Sequence, residues 1–249
     1  MLGLDEEEGE QGDAPPGWEL DELLGMVSHD LLNQQQAALG FLELLEGSEG
    51  LSDGERAMVI RTMEVLEQTA RTVLHVRATM VQRERGRSRP HRVSLARALE
   101  ISSRSVRGAF SKDRLTIEVL GVDRSPEVLA DGMLGEMLTQ LLLLLAEDAP
   151  IDRECSLRVQ VEEEGRTTAL RFLSQGFALN PLVTDALVGG RQPSGRSSRM
   201  AALHLVRDLV GQYGGTASME PAPPGQVGAH LVIRLPQVEG ADAVGDDSR

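Results

Sequence analysis

The sequence predicts an α plus α/β protein, a long helical hairpin followed by a sheet covered by helices on one face. Trp18 to Glu46, a stretch without proline, repeats apolar residues in alternating steps of three and four. A second such stretch follows the Gly47-Ser48-Glu49-Gly50 break. From Pro90 onward, short alternating apolar runs take turns with helical stretches, and Gly214-Gly215 and Pro223-Pro224-Gly225 mark turns between them. A chain of 249 residues with 41% hydrophobic side chains has enough apolar surface to bury a core.

In the first helix, Leu20, Leu24, Val27, Leu31, Ala38, Phe41 and Leu45 form the expected seam, with Gln34 as its one polar member. Ser52 or Asp53 can cap the next helix, and Glu55 stands three residues after Ser52, as a capping box requires. The second seam is Val59, Met63, Leu66, Ala70, Val73 and Met80, with Arg77 in the missing place; the helix ends near the basic run Arg83 to Arg89. Flanking Leu32, Leu39, Leu42, Leu74 and Val76 give the hairpin more apolar surface than it can cover alone. Two copies are therefore expected to pair into a four-helix bundle.

Beyond the linker the expected order is a helix over 94–109, a strand over 115–119 and a strongly apolar helix over 127–147. Strands over 156–161 and 168–173, a helix over 198–212 and strands over 216–220 and 229–235 complete it. The resulting domain plan is an acidic lead (1–17), the hairpin (18–85), a linker (86–93), an α/β sandwich (94–237) and an acidic tail (238–249).

Formal net charge is −14, much of it in Asp5 to Glu10 and in Glu239, Asp242, Asp246 and Asp247, which read as solvated tails. So acidic a chain repels a phosphate backbone, so no nucleic-acid partner is expected. No run of 18 apolar residues exists and the N-terminus is acidic, so neither a membrane span nor a signal peptide is expected, and the localisation read from this is cytoplasmic. A single cysteine, Cys155, excludes an internal disulfide. His75, His91, His204 and His230 lack close metal-ligand spacing, and no metal site is expected from them.

The stretch that carries chemistry is Val27-Ser28-His29-Asp30-Leu31-Leu32-Asn33. With Leu24 and Leu31 at one core position of a heptad and Val27 at the other, His29 falls on the outward face. Asp30 is next to it and Asn33 one turn on. An imidazole nitrogen can attack phosphorus while a neighbouring carboxylate favours the required tautomer and stabilises the developing positive charge. Asp30 is positioned for that role.

Ser28-His29-Asp30-Leu31-x-Asn33, followed by Gly40-Phe41-Leu42-Glu43-Leu44-Leu45, resembles the phosphoacceptor helix of two-component sensor histidine kinases. The variant with Gln34 after Asn33, where many members carry proline, is similar to archaeal members. The resemblance implies that His29 accepts the phosphoryl group, that Asp30 assists, and that Asn33 helps orient water for dephosphorylation. The second region resembles the family's ATP-binding domain, best in Leu203-His204-Leu205-Val206-Arg207-Asp208-Leu209-Val210-x-x-Tyr213-Gly214-Gly215 and in Gly228 to Pro236.

By that resemblance, Gln140 begins the stretch in which an active member carries asparagines for magnesium and phosphate, and Leu144 stands where the metal-ligating asparagine belongs. Leucine offers magnesium no lone pair. Ser174 replaces the adenine-reading aspartate, Gly176 is the surviving glycine of that loop, and Met200 and Ala202 occupy later phosphate-cradling glycine positions. Gly189-Gly190, Gly195, Arg191, Arg196 and Arg199 could still wrap an anion.

These losses imply a degenerate ATP domain, as in histidine phosphotransferases built from kinase-like parts, with ATP doubtful as a cofactor and none tightly bound. The expected activity is exchange of a phosphoryl group between His29 and the aspartate of a response-regulator receiver, whose own Mg2+ serves the step. An upstream histidine kinase or a sensor on another protein completes the expected partners, and the chain itself is expected to be a homodimer. Two rivals are an ATP-dependent autokinase with a divergent pocket and a dimeric pseudokinase scaffold without phosphoryl chemistry.

Overall fold

The computed structural model describes residues 17–84, 90–111, 114–123, 126–150, 154–189, 197–221 and 229–237, residues 17–25, 29, 79–84 and 229 by their backbone alone. The acidic lead and tail and the arginine-containing loop over 190–196 lie outside the described residues.

Helices α1 (Gly17–Glu46) and α2 (Asp53–Glu84) pack as the hairpin. The capping box forms as expected: the Ser52 backbone N–H donates to Glu55 Oε2 at 2.8 Å, and the Glu55 N–H donates to Ser52 Oγ at 3.3 Å. These bonds hold the Glu55 carboxyl below its ordinary pKa. Arg56 closes the turn by donating to the last carbonyl of α1, Glu46 O, at 2.6 Å.

The covered face of α1 differs from the expected seam. Ser28, Gln35 and Leu39 are buried, while Val27, Leu31, Phe41 and Leu45 are exposed. Leu39 packs with Val59, Met63 and Leu66 of α2, so the stripe expected to flank the seam fills the hairpin's interior. Adjacent helix positions differ by about 100°, and the heptad seam therefore stands roughly a quarter turn away, facing out of the single chain. Further along, Ala70, Leu74 and Ala78 of α2 belong to the core of the α/β region. The first half of α2 thus serves the hairpin and the second half serves the α/β region.

That region runs β1 (His91–Ser94), α3 (Leu95–Arg107), β2 (Leu115–Leu120), β3 (Glu127–Ala130), α4 (Leu134–Ala146), β4 (Cys155–Glu164), β5 (Thr167–Gln175), α5 (Pro181–Val188), α6 (Ser198–Gln212), β6 (Thr216–Pro221) and β7 (Ala229–Pro236). Five strands form one sheet in the order β2-β4-β5-β7-β6, with β2 and β4 parallel and the other pairs antiparallel; β1 and β3 form a separate antiparallel pair. A parallel neighbour needs a crossover, and α4 provides it between β2 and β4. α3, α4 and α6 pack side by side over one face of the sheet, and their apolar sides share a core with Leu157, Val159, Leu170, Phe172, Leu231 and Ile233. The fold is the expected helical hairpin followed by an α/β sandwich.

Three details correct the sequence reading. The helix expected over 127–147 begins at Leu134, because Val128 and Ala130 alternate with Glu127 and Leu129 and pair as β3 with β1. Asp131 ends that strand and accepts from the Met133 N–H at 2.9 Å, setting the start of α4. Strand β1 and helix α5 were not expected. α5 is short but well started, with Asn180 accepting from the Leu182 N–H at 2.8 Å and Pro181 in the first turn.

The other face of the sheet is a lattice of charges. Arg171 meets Glu162 at 2.8 Å and Glu164 at 2.5 Å and also pairs with Glu220, and Arg234 bridges Glu164 at 2.7 Å and Glu220 at 2.6 Å. Bonds from Arg234 and then Arg171 pull the Glu220 carboxyl down to about 2. Opposite charges across neighbouring strands stabilise this solvent-facing side.

Candidate functional site

His29, Asp30 and Asn33 all lie within α1, a helix of 30 residues that contains no proline. Asp30, Leu31 and Asn33 are exposed and Ser28 is buried. The outward direction expected of His29 concerns a side chain outside the described ones. A rigid helix carrying an imidazole, an adjacent carboxylate and an amide one turn away is chemically suited to hold a phosphoryl group on nitrogen and to present it to a partner's carboxylate. About one to three turns beyond Asn33, Gln36, Gly40 and Glu43 line a cleft of about 790 Å³ whose opposite wall includes Arg104, Arg107 and Gly108 of the α/β region.

The positions assigned to a nucleotide site are distributed differently. Gln140, Leu144 and Ala202 are 0% exposed and Met200 is buried. Ser174 sits half-buried in β5 opposite Leu157, and Gly176, exposed just beyond that strand, turns the backbone at φ +86°. A Cβ at Gly176 would meet the Glu154 carbonyl at 3.0 Å, so this glycine has a sufficient structural reason to be glycine.

The polar atoms of Gln140 are committed within the protein. Its Nε2 donates to the Leu74 carbonyl at 3.1 Å and to Glu136 Oε1 at 2.9 Å, and its Oε1 meets Nδ1 of His75. His75, 2% exposed, places its Nε2 2.7 Å from Glu147 Oε1. Glu147 pairs in turn with Arg199 at 2.8 Å, and Arg199 reaches Asp148 at 3.0 Å. A magnesium-nucleotide does not fit these residues: Leu144 supplies no ligand atom, the oxygen of Gln140 faces a histidine, and α2 packs against both α4 and α6 at this place. Among the described residues no cluster of three or more His, Cys, Asp or Glu side chains could hold a metal ion.

Sequence reasoning passed over His75 as an ordinary helix residue, and did not single out Glu67. Glu67 is 0% exposed, accepts from the Ser111 N–H at 2.9 Å and the Ser111 hydroxyl at 2.8 Å, and pairs with Arg114 and, at 3.5 Å, with Arg71. Burial lowers the pKa of Arg71, with Glu147 and Asp148 opposing the shift. One signal was present in the sequence. Glu67, Arg71 and His75 recur every four residues beside the apolar line Met63, Leu66, Ala70 and Leu74, the spacing of one continuous helical stripe.

No family model matches the chain, and no curated protein matches it. Solved structures do resemble it. A mycobacterial sensor histidine kinase, MprB, aligns over 59% of this chain and 98% of its own, at 22% identity and a TM-score of 0.45. The ATP-binding domain of PrrB from Mycobacterium tuberculosis aligns over 60% and 98%, at 17% identity and a TM-score of 0.45. Full-length ShkA in complex with AMPPNP aligns over 89% of this chain and 47% of its own, at 17% identity and a TM-score of 0.46. Among the described residues no helix is long and apolar enough to cross a membrane.

Proposed function

We propose that this chain is a histidine-phosphorylated protein of two-component signalling, in which His29 exchanges a phosphoryl group with the aspartate of a response-regulator receiver. The observation that supports this is the Ser28-His29-Asp30-Leu31-x-Asn33 pattern on a single long helix, with Asp30 and Asn33 exposed beside the histidine. An imidazole lone pair of His29 attacks the phosphorus of a receiver's aspartyl phosphate. The P–N bond forms as the acyl P–O bond breaks, the electron pair leaves with the aspartate, and the ring proton passes to Asp30 or to water. Delivery to a second receiver is the reverse of these steps, and the receiver's own Mg2+ attends both.

In this function the α/β region performs no nucleotide chemistry, a reading supported by Leu144 and by the internal commitments of Gln140. The exposed seam of α1 suits a second copy of the chain, giving a homodimer. The protein is then a cytoplasmic one with protein partners, fed by a receiver or an upstream histidine kinase, and with neither nucleic acid nor membrane as a ligand.

The test offers the purified chain receiver domains charged with radiolabelled acetyl phosphate, with the His29→Gln variant alongside. Label reaches the wild-type chain and falls to background in the variant. Equal labelling of both chains overturns the proposal. A parallel arm with labelled magnesium-ATP and no receiver separates the rivals: His29-dependent labelling there makes the chain an autokinase, and no labelling from either donor makes it a scaffold.

A further inference from the structure

We propose that the second half of α2 is a docking helix, held in cis against α4 and α6 by two buried polar anchors, Glu67 and His75, so that the α/β region acts as a fixed buttress of the hairpin. The two anchors lie two helical turns apart on one stripe of α2, and each reaches a different part of the α/β region. Glu67 engages the segment between α3 and β2 through Ser111 and Arg114, while His75 engages the middle of α4 through Gln140 and its C-cap through Glu147.

Each anchor is tied further in. Arg114 donates to the Pro150 carbonyl at 3.2 Å and to the Ala149 carbonyl, just after α4, and its guanidinium lies 5.4 Å from the centre of the Phe110 ring. Arg71, between the anchors on α2, lies over the same ring at 5.2 Å. At the other end, Glu147 passes the contact to Arg199 in the first turn of α6, and Asp148 joins Arg199 to Asn180, which donates to it at 2.6 Å and caps α5. Between the two anchors, Ala70 and Leu74, with Ala78 just beyond His75, bury their side chains in the same core as α4 and α6.

A purely apolar contact lets a helix slide or rotate among similar packings. A carboxylate at 0% exposure and an imidazole at 2% do not, because a shift of one residue would leave a buried charge or donor without its partner. Gln140 makes the register stricter still. Both acceptors of its amide nitrogen are fixed, so its oxygen must face His75, and both nitrogens of that ring then face oxygen atoms. Other groups close to this junction are Glu136 on α4, Arg199 on α6, and Arg71 on α2 itself. Released from this surface, α2 would expose Leu74, Gln140 and the start of α6 together.

Native-state amide hydrogen exchange on the full-length chain tests this without any variant. In low urea, residues 67–78 should open as one unit with 140–147 and 198–203, while 53–63 opens separately with α1. Opening of 67–78 together with α1, and apart from α4 and α6, would overturn the proposal. Protection of 67–78 should also be unchanged by dilution, whereas loss of it on dilution would mean docking in trans and would overturn the cis arrangement. In the Glu67→Gln, His75→Phe double variant, exchange in the three linked segments should rise about tenfold or more, with the sheet unaffected. An unchanged pattern counts against the anchors. None of these readouts uses phosphoryl transfer, so failure of the proposed function leaves them intact, and their failure leaves His29 chemistry untouched.

Discussion

In α1, Phe41 and Leu44 are 73% and 76% exposed, whereas in α4 every residue from Met137 to Ala146 is buried. Both helices are rich in leucine, and the contrast lies in what surrounds them. α4 has the sheet beneath it and α3 and α6 on either side, with α2 across it, so an all-round apolar helix finds cover in every direction. α1 has α2 as its main helical partner, and a helix with apolar residues on two sides cannot bury both against one neighbour. Composition alone therefore does not separate a finished core from an unfinished surface; the number of neighbours does.

Predictions follow from pressing on each side of this contrast, beginning where the expected effect is greatest. Leu144→Asn puts an amide into a fully buried site within α4, and about 3–5 kcal/mol of stability should be lost in urea unfolding. The same variant should gain no magnesium-ATP affinity, because Gln140 remains engaged with His75. Nucleotide binding restored by this one change would show that the α/β region retains a usable pocket.

On the hairpin side, Phe41→Asp with Leu45→Asp puts two charges on the exposed seam of α1. The proposed dimerisation, followed by analytical ultracentrifugation, should weaken by about a hundredfold or more, since charged residues at the centre of an apolar interface are strongly disfavoured. The helical content of the single chain should stay unchanged. An unaltered dimer would mean that some other surface joins the copies.

The smallest effect belongs to the charged face of the sheet. Glu220 has its carboxyl pKa lowered in the folded chain, from 4.5 to about 2, so its share of stability is complete above the ordinary carboxylate range and fades as the pH falls from about 4.5 toward about 2. Thermal unfolding of Glu220→Gln should show a shallower loss of Tm over that window than the wild-type chain does, and added salt should narrow the difference. Parallel curves would mean that the lattice orders the strands without contributing to their stability.

Much of this architecture was readable from the chain. The hairpin, its capping box at Ser52 and Glu55, and the order of most α/β elements all follow from local periodicity and turn chemistry. The start of α4 was misread because Val128 and Ala130 are too short an alternating pair to outweigh the leucine-rich helix that follows, and strand β1 was missed because its pairing with β3 joins segments far apart in sequence. In the candidate site, the His29, Asp30 and Asn33 pattern proposed as the acceptor was legible because its residues are neighbours on one helix. Gln140 was singled out, but as a remnant of a nucleotide site and without its partners His75, Leu74 and Glu136.

By itself, then, the sequence determined where most of the helices and strands form, that the hairpin has apolar surface to spare, and that His29, Asp30 and Asn33 share one helix. These are properties of spacing along a chain. Which stripe of α1 turns inward, and the burial of Glu67 and His75 against α4, the 110–114 segment and Arg199, were decided only by tertiary structure. A polar residue beside an apolar stripe reads the same whether it faces water or a partner 44 or more residues away, and only the packing of α2 on the α/β region distinguishes the two.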